Sequence, residues 1–282
     1  DNIDPVLNVI EDDKEQVEVD HLEEVKKVYA RQEQREYRRA LAPACLPVPH
    51  PNFSNHFQSL PPLTESAQGL LPAAHCRLDF LQAVQDHRVV IVSGSTGCGK
   101  STQLPQFLWQ AMRASQSEHC HVIVTQPRRV AATALARRVS QEMNSPLPGR
   151  PGSLVGHHIR LDRAVADTAQ IVYCTLGILL RQLVGTQANT SLSHVTHVVV
   201  DEVHERDVQT DFLLTLLRAI LPRNPHLRLI LMSATASITL FENYFASYKP
   251  FVLTIPGTAF PVETKWLAEC ERLTSKQLKH YQ

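Results

Sequence analysis

A short apolar run, Val89-Val90-Ile91-Val92, leads almost directly into Gly94-Ser95-Thr96-Gly97-Cys98-Gly99-Lys100-Ser101, and an amphipathic stretch follows. Those eight residues fit G-x-x-x-x-G-K-[ST] in the strand, glycine loop and helix setting that a phosphate-binding loop requires. The glycines let backbone N–H groups turn inward around phosphates, and the helix N-terminus adds its positive end. Lys100 then reaches the β- and γ-phosphates, and the Ser101 hydroxyl is placed for Mg²⁺. With Gly at about 7% of residues, roughly one chain in a hundred of this length matches by chance, and the flanking strand and helix lower that further. Cys98 within the loop reads as a small filler residue, not as a redox switch.

Around this loop, apolar runs alternate with helical stretches. Strands are expected at 89–92, 121–125, 170–174, 197–200 and 227–232, and helices at 78–85, 101–113, 130–143, 176–184, 206–221 and 237–245. The strand runs are continuously apolar, as in a parallel sheet covered on both faces. The expected fold is a doubly wound α/β domain, RecA-like and mostly parallel, over residues 73–262. Segments 144–153 and 186–193 read as surface loops. Residues 1–41 form an extension with a charged helix over 20–41, and 42–72 a linker or arm holding seven prolines from Pro43 to Pro72. Residues 263–282 begin a connection to whatever follows. The chain starts at Asp1 instead of Met, and we read it as a segment of something longer.

The run 197–200 ends in Asp201-Glu202-Val203-His204-Glu205-Arg206. Carboxylates at the carboxyl end of a central parallel strand sit where such sheets bind ligands. Asp201 is placed to hold Mg²⁺, directly or through water, and Glu202 to orient and deprotonate an attacking water. An acidic helix N-terminus is the alternative, and alone it would weigh as much as catalysis. Ser233-Ala234-Thr235 after the last run means only a cap or turn by itself.

Taken in order, Gly94–Thr102 (GSTGCGKST), Thr125–Ala132 (TQPRRVAA), Thr175-Leu176-Gly177, Asp201–His204 (DEVH) and Ser233–Thr235 (SAT) resemble the motifs of superfamily 2 helicases. TQPRR, the HERD extension of DEVH and Asp211-Phe212-Leu213-Leu214 resemble the DEAH/RHA branch of RNA helicases. The Ile255-Pro256-Gly257 turn with Phe260-Pro261-Val262 is similar to the subgroup around RNA helicase A. The resemblance implies that the chain carries the first RecA-like domain of an ATP-dependent RNA helicase. Gly94, Thr96, Gly97, Cys98, Gly99, Lys100, Ser101 and Thr102 would hold ATP, Arg138 would stack on its base, and Ser101, Asp201 and Glu202 would form the metal set. Lys100, Asp201, Glu202 and His204 would be catalytic, with His204 linking the nucleotide site to Ser233 and Thr235. Arg128, Arg129, Arg160 and Thr175 would lie along the backbone of single-stranded RNA, which positions a strand without reading its sequence.

Three positions depart from the family pattern. Val203 stands where DEAH has Ala, Leu176 where many relatives have a polar residue, and His157 where the GYxIR stretch has an aromatic. His157 and His158 are neighbours on a strand, so they point to opposite faces and do not ligate one metal together.

Composition bounds the remaining classes. Lys+Arg and Asp+Glu balance at 28 each, so any RNA site is a local patch and not a bulk effect. The six cysteines show no CxxC pair or metal spacing, which fits free thiols in a reducing, intracellular compartment: cytoplasm, nucleus or mitochondrion. No apolar run is long enough for a membrane span. The expected partners are RNA, a second RecA-like domain and C-terminal domains of the same parent protein, and a ribonucleoprotein complex. The second domain would supply arginine fingers, worth on the order of 10³–10⁵ in rate, so the isolated chain is expected to hydrolyse poorly. A nucleotide-binding scaffold or assembly factor is the alternative from another class. A small-molecule kinase is disfavoured by TQPRR, DEVH and SAT together.

Overall fold

The computed structural model describes Leu60 and residues 71–115, 120–184, 192, 194–234, 238–257, 264–267, 269, 270 and 272. The charged helix over 20–41, nearly all of the proline-rich arm, Thr235 and most of the 186–193 loop lie outside the described residues. A single helical turn, Pro72–His75, precedes α1 (Arg77–Asp86) and β1 (Val89–Gly94). Then follow α2 (Lys100–Ala114), β2 (Val122–Gln126), α3 (Arg129–Glu142), β3 (Val155–Ile159), β4 (Asp162–Ala164) and β5 (Ile171–Thr175). The chain continues through α4 (Leu176–Val184), β6 (His197–Val200), α5 (Val208–Ile220), β7 (Arg228–Ser233), α6 (Ile238–Tyr244) and β8 (Phe251–Ile255).

Among the described residues the strands form one sheet in the order β4-β3-β5-β2-β6-β7-β1-β8. All pairings are parallel except the β3–β4 hairpin. This is a RecA-like α/β domain. The central strands are buried end to end because helices cover both faces, and successive residues feed opposite cores. Val90, Val92, Val122, Val124, Tyr173, Val199 and Ile230 pack with α1, α2 and α3. Val89, Ile91, Val198, Val200, Leu229 and Leu231 pack with α4, α5 and α6.

The expected elements are all present where they are described, with ends moved by a residue or two. The helix expected to begin at Arg206 begins instead at Val208, because residues 202–206 form a separate turn. Strands β3, β4 and β8 are additions to the five expected apolar runs: β3 is interrupted by Gly156, His157 and His158, and β4 and β8 are edge strands with partly exposed residues.

Pro105 sits inside α2, where it has no N–H to offer the carbonyl of Ser101 one turn earlier. That carbonyl accepts the hydroxyl of Tyr173 instead, at 2.8 Å, from the fully buried side chain on β5. The sheet therefore completes the hydrogen bonding of the helix that the glycine loop launches. Replacing Tyr173 with Phe strands a buried carbonyl and is expected to destabilise the domain by about 1–3 kcal/mol in urea unfolding. The loss should shrink in a Pro105→Ala background, where the restored N–H can serve Ser101. An undiminished loss would show that the hydroxyl acts elsewhere.

Candidate functional site

The carboxyl ends of β5, β2, β6, β7, β1 and β8 lie side by side, and nearly every candidate residue hangs from that row. The loop after β1 turns into α2 through Gly99, the N-cap, at φ +96°. A Cβ at Gly99 would also meet Leu71 at 3.1 and 3.2 Å, so conformation and space both require glycine. The Ala73 amide donates to the Cys98 carbonyl at 3.0 Å, tying the preceding helical turn to the loop. On the other side, Gly257 beyond β8 approaches so closely that a Cβ there would lie 2.1 Å from Ser95 Oγ.

Lys100 is 5% exposed and folds back over the loop that carries it. Its Nζ donates to the carbonyls of Gly94 at 2.6 Å and Ser95 at 3.0 Å, and lies 3.6 Å from Cys98 Sγ. The ammonium thus occupies the interior of the loop, held by neutral acceptors.

Asp201 follows β6 and is 2% exposed. Its Oδ2 accepts the Ser101 hydroxyl at 2.5 Å and Gln126 Nε2 at 2.5 Å, and its Oδ1 accepts the Glu202 amide at 2.9 Å. Burial raises its pKa above the ordinary carboxylate range, against the opposing pull of these donors and of Lys100. Glu202 and Arg206 take left-handed backbone at φ +55° and +51°, flanking the turn Val203–Glu205. Such residues cost on the order of 1–3 kcal/mol each and persist only where surroundings over-determine them. Here Val203 is fully buried, Arg206 grips Asp211 through two nitrogens at 2.9 and 2.7 Å, and Glu205 meets Arg128 at 3.3 Å. The Glu202 pKa is also raised, first by burial and then by the Asp201 charge.

His204 Nδ1 faces two groups at once. The Ala234 amide donates to it at 3.3 Å, and Glu202 Oε2 lies 3.3 Å away. One nitrogen cannot serve both: unprotonated it accepts from the amide, and protonated it donates to the carboxylate. Ser233, fully buried, ends β7 immediately before that amide. Thr235 lies outside the described residues.

Arg128 precedes α3, Arg129 opens it, and Arg160 follows β3. Arg128 pairs with Glu205, and Arg129 donates to the Arg160 carbonyl at 2.9 Å. Thr175 ends β5, in register with Gln126 of β2. Leu176 is 2% exposed, so its side chain belongs to the core and not to a ligand surface. His157 is buried and pairs with Asp162 at 3.0 Å, whereas His158 on the same strand is partly exposed. Arg138 lies on α3, paired with Glu142 at 2.6 Å.

Four residues of the site escape sequence reasoning. Gln126 lies within TQPRR, and its position at a strand's carboxyl end was the available signal. Tyr173 is signalled only through Pro105, Glu142 only through its helical spacing from Arg138, and Gly257 only through its turn.

A lysine-bearing glycine loop facing a buried aspartate across a parallel sheet defines a P-loop domain of the RecA type. Comparison with known proteins narrows the class: the DEAD/DEAH box helicase model matches residues 77–242, more than half of the chain. The chain belongs to the DEAD/DEAH box helicase family. It is 44% identical over 201 residues to the DExH-box ATP-dependent RNA helicase DExH2 of Arabidopsis thaliana, covering 71% of this chain and 12% of that protein. It is 42% identical over 213 residues to DExH1 of the same plant, covering 73% of this chain and 20% of that protein. The ATP-dependent RNA helicase DHX30 of Rattus norvegicus is 44% identical over 212 residues, covering 74% and 17%. The chain therefore spans at most about a fifth of these relatives.

The raised pKa of Asp201 carries a pH dependence with a definite sign. Its folded-state pKa lies above the unfolded value, so the native state holds the proton more tightly and loses stability as pH rises between the two. Asp201→Asn removes that term. The stability of the variant relative to the parent should improve as pH climbs from the unfolded-state pKa to the raised folded-state one, measured by urea unfolding without nucleotide. A pH-independent difference would show that burial does not govern this carboxylate.

Proposed function

We propose that this chain is the nucleotide-binding half of an ATP-dependent RNA helicase motor, which couples NTP hydrolysis to movement on single-stranded RNA. The supporting observation is the direct contact between the glycine-loop serine and the buried acid: Ser101 Oγ on Asp201 Oδ2 at 2.5 Å, with Glu202 next in the chain. Two hard oxygen donors held together, one of them a carboxylate desolvated to the point of a raised pKa, fit Mg²⁺. Ser101 and Asp201, with Glu202 beside them, would hold the ion, and it would supply charge neutralisation for the phosphates.

The chain's own groups then divide the work. Lys100 exchanges the carbonyls of Gly94 and Ser95 for β- and γ-phosphate oxygens, which as anions are the stronger acceptors. Backbone amides from Gly94 to Thr102, Thr96, Gly97, Cys98 and Gly99 included, line the phosphates. Glu202 orients the attacking water and takes its proton, a task that suits a carboxylate whose pKa is raised toward neutrality. Arg138 stacks on the base, which tolerates different nucleobases because every base offers a π face. His204 changes partner between Glu202 and the Ala234 amide, and so passes the state of the acid to Ser233 and Thr235. Arg128, Arg129, Arg160 and Thr175 hold the sugar–phosphate backbone of RNA.

In this reading the chain works with a second RecA-like domain and C-terminal domains of its parent protein, on a ribonucleoprotein, inside the cell. Among the described residues no helix is long and apolar enough to cross a membrane.

Steady-state ATP hydrolysis by the full protein, with and without single-stranded RNA, tests the reading beside Glu202→Gln. RNA should stimulate the parent, and the variant should lose about 10²–10⁴-fold in turnover while still binding ATP. Equal, negligible rates in both proteins would leave a nucleotide-binding scaffold instead.

A further inference from the structure

Glu142 is the last residue of α3, where the negative end of the helix dipole disfavours an anion. Its side chain is only 8% exposed, so water does little to offset that. Donors from two helices hold it there. Gln103 Nε2 at 2.9 Å and Gln106 Nε2 at 2.7 Å share its Oε2, and both glutamines are almost wholly buried on α2. Arg138 Nε reaches its Oε1 at 2.6 Å, one turn back on α3. Burial would raise the pKa of this carboxyl, but Arg138, Gln106 and Gln103 outweigh it and hold the group below its usual value, hence charged at neutral pH.

The same glutamines lead back to the glycine loop. Gln103 Nε2 lies 3.2 Å from Thr102 Oγ1, which donates to the Gly99 carbonyl at 3.3 Å, and Gln106 Nε2 donates to the Thr102 carbonyl at 2.9 Å. A continuous polar chain therefore runs from the loop, through α2, to the guanidinium of Arg138. An ordinary exposed i,i+4 pair is worth about 0.3–0.5 kcal/mol and joins nothing further. This one joins two helices through a carboxylate with three donors.

We propose that Glu142 is a positioning residue, which fixes Arg138 to the phosphate-loop helix so that the base-facing and phosphate-facing parts of the nucleotide site form one unit. The proposal rests on the base-stacking role given to Arg138 above. A guanidinium held by one edge at Nε keeps its plane and reach defined, which a free arginine, with its many rotamers, does not. Binding of a base then costs less ordering of the side chain.

The test compares two ligands on the full protein: a non-hydrolysable ATP analogue, which has a base, and inorganic tripolyphosphate, which has none. Glu142→Ala is expected to weaken the analogue about tenfold while tripolyphosphate changes by less than about twofold, and the loss should vanish in an Arg138→Ala background. Glu142→Gln, close in shape, should fall between the parent and Glu142→Ala, and it serves if Glu142→Ala fails to fold. Equal losses for both ligands, or a loss undiminished without Arg138, would overturn the proposal and leave Glu142 as packing between α2 and α3. If Arg138→Ala leaves the ratio of the two affinities unchanged, the proposal falls through its premise, and the roles of Lys100, Asp201 and Glu202 stand untouched.

Discussion

The carboxylate of Asp201 is the point on which the arrangement at the sheet's edge depends. It receives the hydroxyl of Ser101 from the loop after β1, the amide of Gln126 from the end of β2, and the backbone N–H of Glu202 from its own turn. Three segments distant in sequence thus converge on one buried anion. Taking that anion out of water is costly, which is why every lone pair that can be satisfied is satisfied, and why its pKa still rises. The left-handed backbone of Glu202 and Arg206 adds to this cost in the same turn.

Two features of the loop follow the same logic. Lys100 lies over the carbonyls of Gly94 and Ser95, so the glycine loop holds a cation inside it. Pro105 leaves the Ser101 carbonyl without a helical partner, and Tyr173 supplies one from the sheet. Ser101 is therefore fixed twice, by its hydroxyl to Asp201 and by its carbonyl to Tyr173. Ser101 is thus held by the sheet as well as by its own helix.

Away from the acid, charge is local. The chain as a whole is neutral, yet Arg128 and Arg129 are adjacent, Arg129 donates to the Arg160 carbonyl, and Arg128 touches Glu205 within the acidic turn. The Arg128–Arg129 segment and the acidic turn are thus neighbours through a direct ion pair. Exposed pairs of this kind contribute little to stability, and their exchange is correspondingly cheap.

The fold class, the glycine loop and the acidic turn are legible along the chain alone. Each is a local pattern: continuous apolar runs make central strands, glycines with Lys100 and Ser101 mark a P-loop, and Asp201 and Glu202 follow a buried run. The helix that starts at Val208, not at Arg206, shows the limit of that reading, because residues 202 and 206 take a left-handed backbone that no propensity of Glu or Arg announces. Folding brings Gln126 and Tyr173 to the site, gathers two helices at Glu142, and closes Gly257 on Ser95. The contacts of Gln126, Tyr173 and Gly257 join residues from about 70 to more than 160 positions apart. Those of Glu142 cross from one helix to another. No periodicity within a single segment encodes which strand end will face which, since that is settled by the strand order of the sheet.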